Sequence, residues 1–204
     1  MANPRWVITS AIMLSGCSAG TVYVIPADMQ KIESNELLVT TQQVDRAVYW
    51  MTDERVHVVI SRGNMMAKSD GPRDTFGLTL ELDGLPAGSA RMYRVGGRAL
   101  RAVRHAGALH ERFASIRGVV TITREADGRL SGKFRITAQR QYFDILTGWN
   151  TTPNTLVVGE FLANLDPAGG EALAQRIDQE TLLRRDAAEQ PGRPRRVVGP
   201  PVED

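Results

Sequence analysis

The sequence predicts a mainly β protein, built as a single antiparallel β-sandwich or a partly open β-barrel with a C-terminal α-helix. Three observations support this fold class. Apolar and polar residues alternate over most of residues 44–164, turn-forming Gly, Asp and Pro separate these runs, and the apolar spacing becomes helical after Gly170. Alternation places one face of a strand on a core and the other in water. We therefore expect residues 44–164 to form one antiparallel β domain.

Two alternating runs predict the first clear strands of this domain. The apolar positions of the first run are Val56, Val58 and Ile60, and those of the second are Phe76, Leu78, Leu80 and Leu82. Between the latter lie Gly77, Thr79 and Glu81. We expect both runs to be strands of a sheet that is exposed to solvent on one side.

Turn residues separate these runs from their neighbours. They occupy residues 69–72 before the second run, Asp83-Gly84 after it and Gly96-Gly97 after the run that ends at Val95. Asp70 and Asp74 stand beside Gly71-Pro72, so we interpret these two carboxylates as turn formers rather than as glycosidase or calcium-binding residues.

A hairpin over residues 116–138 is the clearest unit, and its turn contains Asp127-Gly128. A two-residue loop would place Thr121 opposite Phe134 and mix core with surface. A three-residue loop over 126–128, with Gly128 left-handed, places Val120 opposite Phe134 instead. Because a slip of one residue turns every side chain to the other face, the apolar pattern selects the three-residue loop. Residues 142–146 and 155–162 are predicted as the next two strands, joined by a polar loop over 150–154.

Residues 98–113 fit two structures. Their apolar residues approximate a helical stripe, but residues 100–104 also fit a strand, and we expect a strand followed by a loop. Beyond them, Leu173, Ile177 and Leu183 have near-helical spacing within 171–189. Asp166-Pro167 is a start signal and Pro191-Gly192 a stop, which predicts a helical unit over 165–190. Residues 191–204 are rich in Pro, Gly and Arg and are predicted to be disordered.

The N-terminus has the order of a secretory signal. Arg5 precedes a short apolar stretch over residues 6–14, and the small residues Ser15 and Gly16 stand directly before Cys17, the only cysteine of the chain. The stretch is too short for a transmembrane helix, which needs about 20 apolar residues. The alternatives are an ordinary signal or a folded N-terminal segment.

Leu14-Ser15-Gly16-Cys17 resembles the lipobox of bacterial lipoproteins. This resemblance implies that residues 1–16 are a signal peptide, that the Cys17 thiol carries diacylglycerol, and that the amine freed by cleavage is acylated. Ser18 follows, where Gram-negative lipoproteins of the inner membrane usually carry Asp. The implied location is therefore the periplasmic face of the outer membrane, with residues 17–43 as an N-terminal tether and first strand.

A second resemblance covers about 45 residues, the length of two or three ordinary strands with their turns. Residues 118–123, residues 127–134 and Gly159-Glu160-Phe161 resemble the closing meander of uncharacterised β-rich envelope lipoproteins of bacteria. The resemblance supports the β fold and implies no activity.

Candidate chemistry is sparse. His105, His110 and Glu111 form the one cluster of metal-ligand types, but a spacing of five puts the two histidines on opposite faces of a strand, so no metal site is predicted. The chain has no Gly-x-Ser-x-Gly and no Ser-x-x-Lys, and Gly96-Gly97 and Gly169-Gly170 lack the other residues of a nucleotide motif. We predict no enzyme activity and no cofactor, with a triad that uses His57 as the remaining catalytic alternative.

The charge of the chain and its predicted location together indicate a function. The chain has 25 basic and 23 acidic residues, which gives no case for nucleic-acid binding. We expect a lipid-anchored, periplasm-facing lipoprotein with a binding or structural role at the outer membrane, held through lipid on Cys17. The basic tail at Arg193–Arg196 is either a contact for an envelope protein or anionic surface, or a solvated terminus.

Two other functions stay open at this point. A barrel-type carrier of a small apolar ligand requires an apolar cavity inside the sheets. An envelope hydrolase requires His57, His105 or His110 within hydrogen-bond reach of a Ser, Asp or Glu in a cleft.

Overall fold

The computed structural model describes residues 18–25, 40–66, 73–86, 90–97, 99–107, 109–144 and 146–182. Cys17, Asp70, Leu183 and the Arg193–Arg196 tail lie outside these ranges. No helix within them has the length and apolar character needed to cross a bilayer. The described elements are β1 (Gly20–Ile25), β2 (Thr40–Val44), β3 (Arg46–Thr52), β4 (Arg55–Arg62), β5 (Arg73–Asp83), β6 (Ala90–Gly96), β7 (Leu100–Gly107), β8 (Leu109–Arg124), β9 (Leu130–Asp144), β10 (Gly148–Leu165) and α1 (Pro167–Leu182).

All of these strands belong to one sheet, which the three long strands β8, β9 and β10 fold into two layers. β9 lies between β8 and β10. The first half of β8 pairs with β7 and its second half with β6, while β10 pairs with β1 and, through its last two residues, with β3. One layer thus contains β3, β4, β5 and β7, and the other contains β1, β2, β6 and the facing halves of the long strands.

The mainly β prediction with a single C-terminal helix is confirmed, and the sheet is not a regular barrel. The junction of β10 with β3 shows why. It is parallel and has only two residue pairs, Asn164 with Val48 and Leu165 with Tyr49. The sheet therefore lacks the continuous, evenly staggered ladder of a regular barrel.

The main core lies between the two layers. The predicted inward residues of β4 and β5 are buried in it, and they meet inward residues of the opposite layer such as Val22, Phe134 and Phe161. The hairpin register is also confirmed, because Val120 pairs with Phe134 and Gly128 has the left-handed φ of 83°.

The predicted strand over residues 155–162 lies within β10, but the predicted strand over 142–146 and the loop over 150–154 were wrong, because β9 ends at Asp144. The chain reverses between the end of β9 and the start of β10, where Gly148 has a φ of 76°, and residues 150–154 lie inside β10 rather than in a loop. They continue the backbone ladder to β9 across a register shift between Thr152 and Thr155. Backbone pairing needs no apolar side chains, so the polar composition of residues 150–154 does not by itself indicate a loop.

Residues 98–113 are a strand followed by a second strand, not by a loop. The hairpin of β7 and β8 turns beside Gly107, whose φ of 61° is left-handed. This tight turn brings residues five positions apart directly opposite each other, so His105 on β7 lies opposite His110 on β8.

Helix α1 packs on the outer face of β3, β4, β5 and β7. The contact is a second apolar cluster made by Val48, Trp50, Val59, Met65, Val103, Leu173 and Ile177. The expectation that Gly77 and Thr79 face water is therefore wrong, because the helix covers this side of β5. Gly77 is needed for the close approach, since a Cβ there would lie 2.7 Å from Ile177 Cγ1.

The helix begins where the Asp166-Pro167 signal predicts. Asp166 Oδ1 accepts a hydrogen bond from the Gly169 backbone N–H at 3.0 Å, and its Oδ2 contacts Arg46 Nη2 at 2.6 Å. Asp166 is thus the N-cap, and Gly169-Gly170 lies in the first helical turn. The Gly169 hydrogen bond and then the Arg46 contact hold the pKa of Asp166 below its ordinary value of 3.8.

The contact between Gly77 and Ile177 predicts a coupled loss of stability. Gly77→Ala is expected to lower the free energy of unfolding by about 1–3 kcal/mol, because the new methyl group overpacks the helix contact. Ile177→Ala should cost about 2–5 kcal/mol through the cavity it leaves. In the double variant the methyl group fills part of that cavity, so urea unfolding should show a loss smaller than the sum. Strict additivity would contradict this packing.

The cap predicts a pH dependence. The pKa of Asp166 is lower in the folded chain, so the cap stabilises the fold at neutral pH, and this contribution disappears as pH falls below 3.8 through the lowered pKa. Asp166→Ala should therefore have a lower urea midpoint than the wild type at pH 7, and the difference should shrink in acid. Asp166→Asn is the matched control, because it keeps a capping oxygen and loses only the charge. A difference independent of pH would contradict the role of the carboxylate.

Candidate functional site

The site with the clearest chemistry in the sequence is Cys17, and the described chain starts directly after it. The Ser18 hydroxyl donates to the Gly20 carbonyl at 2.8 Å. The Ala19 N–H donates to the Val44 carbonyl at 2.8 Å, and the Ala19 carbonyl accepts from the Leu162 N–H at 2.8 Å. The backbone is thus fixed between β2 and β10 from the second residue after Cys17, with no free linker in the described chain.

An open groove of about 340 Å³ lies at this corner of the sheet. Residues 18–20 line it, together with the polar residues Thr121, Thr123 and Ser131 and the apolar residues Phe161 and Leu162. Lys133 also lines it, with its Nζ 3.7 Å from Glu160 Oε2. The groove therefore has a mixed polar and apolar lining, is open to solvent and is adjacent in sequence to the predicted lipid attachment point.

A buried ion triad connects three neighbouring strands at the other end of the core. Glu111 on β8 is only 1% exposed. Its Oε2 accepts from Arg104 Nη1 of β7 at 2.7 Å, and its Oε1 accepts from Arg140 Nε of β9 at 2.7 Å. Arg104 also donates to Thr40 Oγ1 of β2 at 3.2 Å. Two guanidinium groups thus neutralise one carboxylate and link both layers.

Sequence reasoning missed this triad, although the pattern contains a signal for it. Arg104 continues the inward positions Leu100 and Ala102, and Arg140 continues Ile136 and Ala138. A charged residue at an inward position of a strand requires a buried partner. Extending the alternating pattern to the ends of these strands would have predicted the triad.

A second polar contact lies beside the triad. Arg62 Nη2 donates to Asp74 Oδ2 at 2.8 Å, and Arg62 Nη1 donates to the buried Gln42 at 2.9 Å. The interpretation of Asp74 as a turn former was wrong, because it lies within β5 as an ion-pair partner. Together with the triad, this contact closes one end of the main core with paired polar groups.

The two histidines His105 and His110 are adjacent, contrary to the prediction. They lie directly opposite each other on β7 and β8, with their Nδ1 atoms 2.6 Å apart. A spacing of five puts two residues on opposite faces only within a single strand, and here the chain reverses between the two histidines. His105 Nε2 lies 3.7 Å from Glu180 Oε2 of α1, and Glu111 points to the opposite side of the sheet. Across the described ranges, no three potential metal ligands converge.

His57 has a different environment. Its Nε2 is 2.6 Å from Thr52 Oγ1, and its ring stacks on Trp50 with the centroids 4.9 Å apart. The carboxylate opposite it on β5, Glu81, is paired with Arg55. The contacts of His57 are thus a hydroxyl and an indole, and the nearby carboxylate is engaged elsewhere.

A second open groove, of about 420 Å³, lies between the end of β5 and β6. Arg55, Glu81 and Arg94 give it a charged lining. Tyr93 also lines it and donates its hydroxyl to the Gly84 carbonyl at 2.7 Å. Burial raises the pKa of Tyr93, more than Arg91 lowers it. The phenol therefore stays protonated and acts as a hydrogen-bond donor at neutral pH.

The triad predicts a large and specific loss of stability. Glu111→Gln leaves two partly buried guanidinium groups without a counter-charge and should cost about 3–5 kcal/mol in urea unfolding. Glu160→Gln is the matched control, because its contact with Lys133 is exposed and should contribute less than about 1 kcal/mol. Equal effects of the two variants would show that the triad is not a buried charge network.

No protein family, curated protein or solved structure matches the chain.

Proposed function

We propose that this protein is a lipid-anchored envelope lipoprotein that faces the periplasm and has a binding or structural role at the outer membrane. The observation that carries the proposal is the motif Leu14-Ser15-Gly16-Cys17 after a short apolar stretch, and the fixed position of Ala19 between β2 and β10 supports it. Because the Ala19 hydrogen bonds hold the chain in the sheet two residues after Cys17, lipid on Cys17 would attach the sheet closely to the membrane.

The packing favours this function over a carrier. Large apolar side chains from both layers, including Phe76, Phe113 and Ile136, fill the space between the sheets. The Glu111 triad closes one end of that space. The two grooves described above are open to solvent, whereas a carrier of an apolar ligand needs an enclosed apolar cavity.

The histidine contacts do not favour a hydrolase. His105 is buried between His110 and Glu180, and its Nε2 points to the helix rather than to a serine in a cleft. His57 contacts Thr52, while the neighbouring Glu81 is paired with Arg55. A triad requires an acid that orients the base, and the described contacts of His57 supply a stacked indole instead.

The anchor is tested with Cys17→Ser in the native envelope. We expect this variant to lose acyl label, to change its gel mobility and to leave the membrane fraction. Ser15→Ala is the matched control, because it keeps a small residue before the cysteine and should be acylated normally. Ser18→Asp keeps an oxygen acceptor beside the Gly20 N–H and should move the anchored protein to the inner membrane. A Cys17→Ser protein that stays membrane-bound with unchanged mobility would overturn the anchor.

A further inference from the structure

In the described part of the chain, no helix packs on the outer face of the layer that contains β1, β6 and the second half of β8. We call this surface the open face and define it by its central row, Tyr23, Val158, Arg135, Val119 and Arg94, which are cross-strand neighbours on β1, β10, β9, β8 and β6. At a strand spacing of about 4.8 Å, this row extends about 19 Å. Helix α1 covers the outer face of the opposite layer.

The open face combines positive charge with exposed apolar groups. Arg94 and Arg135 lie in the central row, and Arg117 and Lys133 flank it, against the carboxylates of Glu160 beside Lys133 and of Glu125 beside Ser131. Tyr23 is 40% exposed and Val119 is 37% exposed. Basic groups interspersed with an aromatic and aliphatic side chains are suited to the interface of an anionic bilayer, where tyrosine places its ring at the headgroup level.

The open face also lies next to the predicted anchor. β1 starts at Gly20, three residues after Cys17, and carries Tyr23. The chain between them is held in the sheet by the Ala19 hydrogen bonds, so lipid on Cys17 would bring this sheet to within about 10 Å of the membrane, given about 3.3 Å per residue. A tether this short makes the contact of the face with the bilayer effectively intramolecular.

We infer that the open face docks on the anionic phospholipid headgroups of the membrane that holds the anchor. This inference rests on the proposed lipid anchor, and it adds the open face as the surface that contacts the membrane and the anionic headgroups as its ligand. Arg94, Arg135, Arg117 and Lys133 contact lipid phosphates, while Tyr23 and Val119 enter the headgroup region. A second copy of the chain is a poorer occupant, because a two-fold contact would oppose this basic row to itself.

The inference is tested with the lipidated full chain in two kinds of vesicle, one of phosphatidylcholine and one of phosphatidylcholine with phosphatidylglycerol. Lipidation consumes the only cysteine, so Val119→Cys supplies a single site for an environment-sensitive fluorophore. Gln175→Cys on the exposed side of α1 is the matched control. We expect a blue-shifted emission at position 119 only in the phosphatidylglycerol vesicles, and no shift at position 175.

Neutralising the basic row should reverse the docking. An arginine near an anionic surface contributes about 1 kcal/mol, or about fivefold, so Arg94→Gln with Arg135→Gln should reduce the ratio of docked to undocked protein about 25-fold. High salt should have the same effect. Both arginines are exposed, and circular dichroism checks that the variants fold.

Three outcomes would overturn the inference, and they are distinguishable. Equal emission at position 119 in both vesicles, with lipid present on Cys17 by mass, leaves the anchor valid and the docking wrong. A shift in pure phosphatidylcholine that grows with protein density assigns the face to a second copy. If the protein does not stay on the vesicles and its Cys17 thiol reacts with the fluorophore, the protein carries no lipid anchor. That result removes the basis of both proposals.

Discussion

The whole structure depends on the continuous pairing of β8, β9 and β10. Each of these strands is long enough to take part in both layers, so the same backbone ladder that forms the hairpins also turns the sheet over the core. The register shift between Ser115 and Arg117 on β8, and the one on β10, lie where the partner strand changes or the sheet bends. Bulges of this kind increase the local twist, which allows one sheet to form two layers.

Apolar packing secures both faces of the α1-covered layer, and charged groups add to it on the helix side. Apolar contacts dominate on both sides of β4, where Val58 faces the main core and Val59 faces the helix. Charged groups then fix the helix along its edge, since Arg101 Nη1 lies 3.0 Å from Asp178 Oδ1 and His105 lies beside Glu180. Burial raises the pKa of Asp178, and Arg101 only partly opposes this. The helix is thus held mainly by packing, and its ion pairs determine its orientation.

The sequence predicts the parts of this fold that depend on local pattern. The register of the β8–β9 hairpin follows from its apolar alternation because any slip would expose Phe134, and the helix start follows from the capping chemistry of Asp166. Coverage of β5 by the helix could not be predicted, because Gly77 and Thr79 resemble a solvent face until a distant segment packs on them. The histidine pair was missed for a related reason. Its geometry depends on a turn at Gly107, whose position the ambiguous pattern of residues 98–113 did not reveal.

The corner at Ser18 also limits where a protein partner could bind. If the open face lies on the bilayer, helix α1 is on the side away from it, because the core separates the two layers. The tip of the β9–β10 hairpin lies up to about 46 Å along β10 from Leu162, at about 3.3 Å per residue. Near that tip, Leu146 is 93% exposed and Phe143 packs edge-on against Trp149. If lipid on Cys17 holds the end of β10 near Leu162 at the membrane, this apolar tip lies at the other end of β10, so a partner that bound the tip would use a surface separate from the membrane contact.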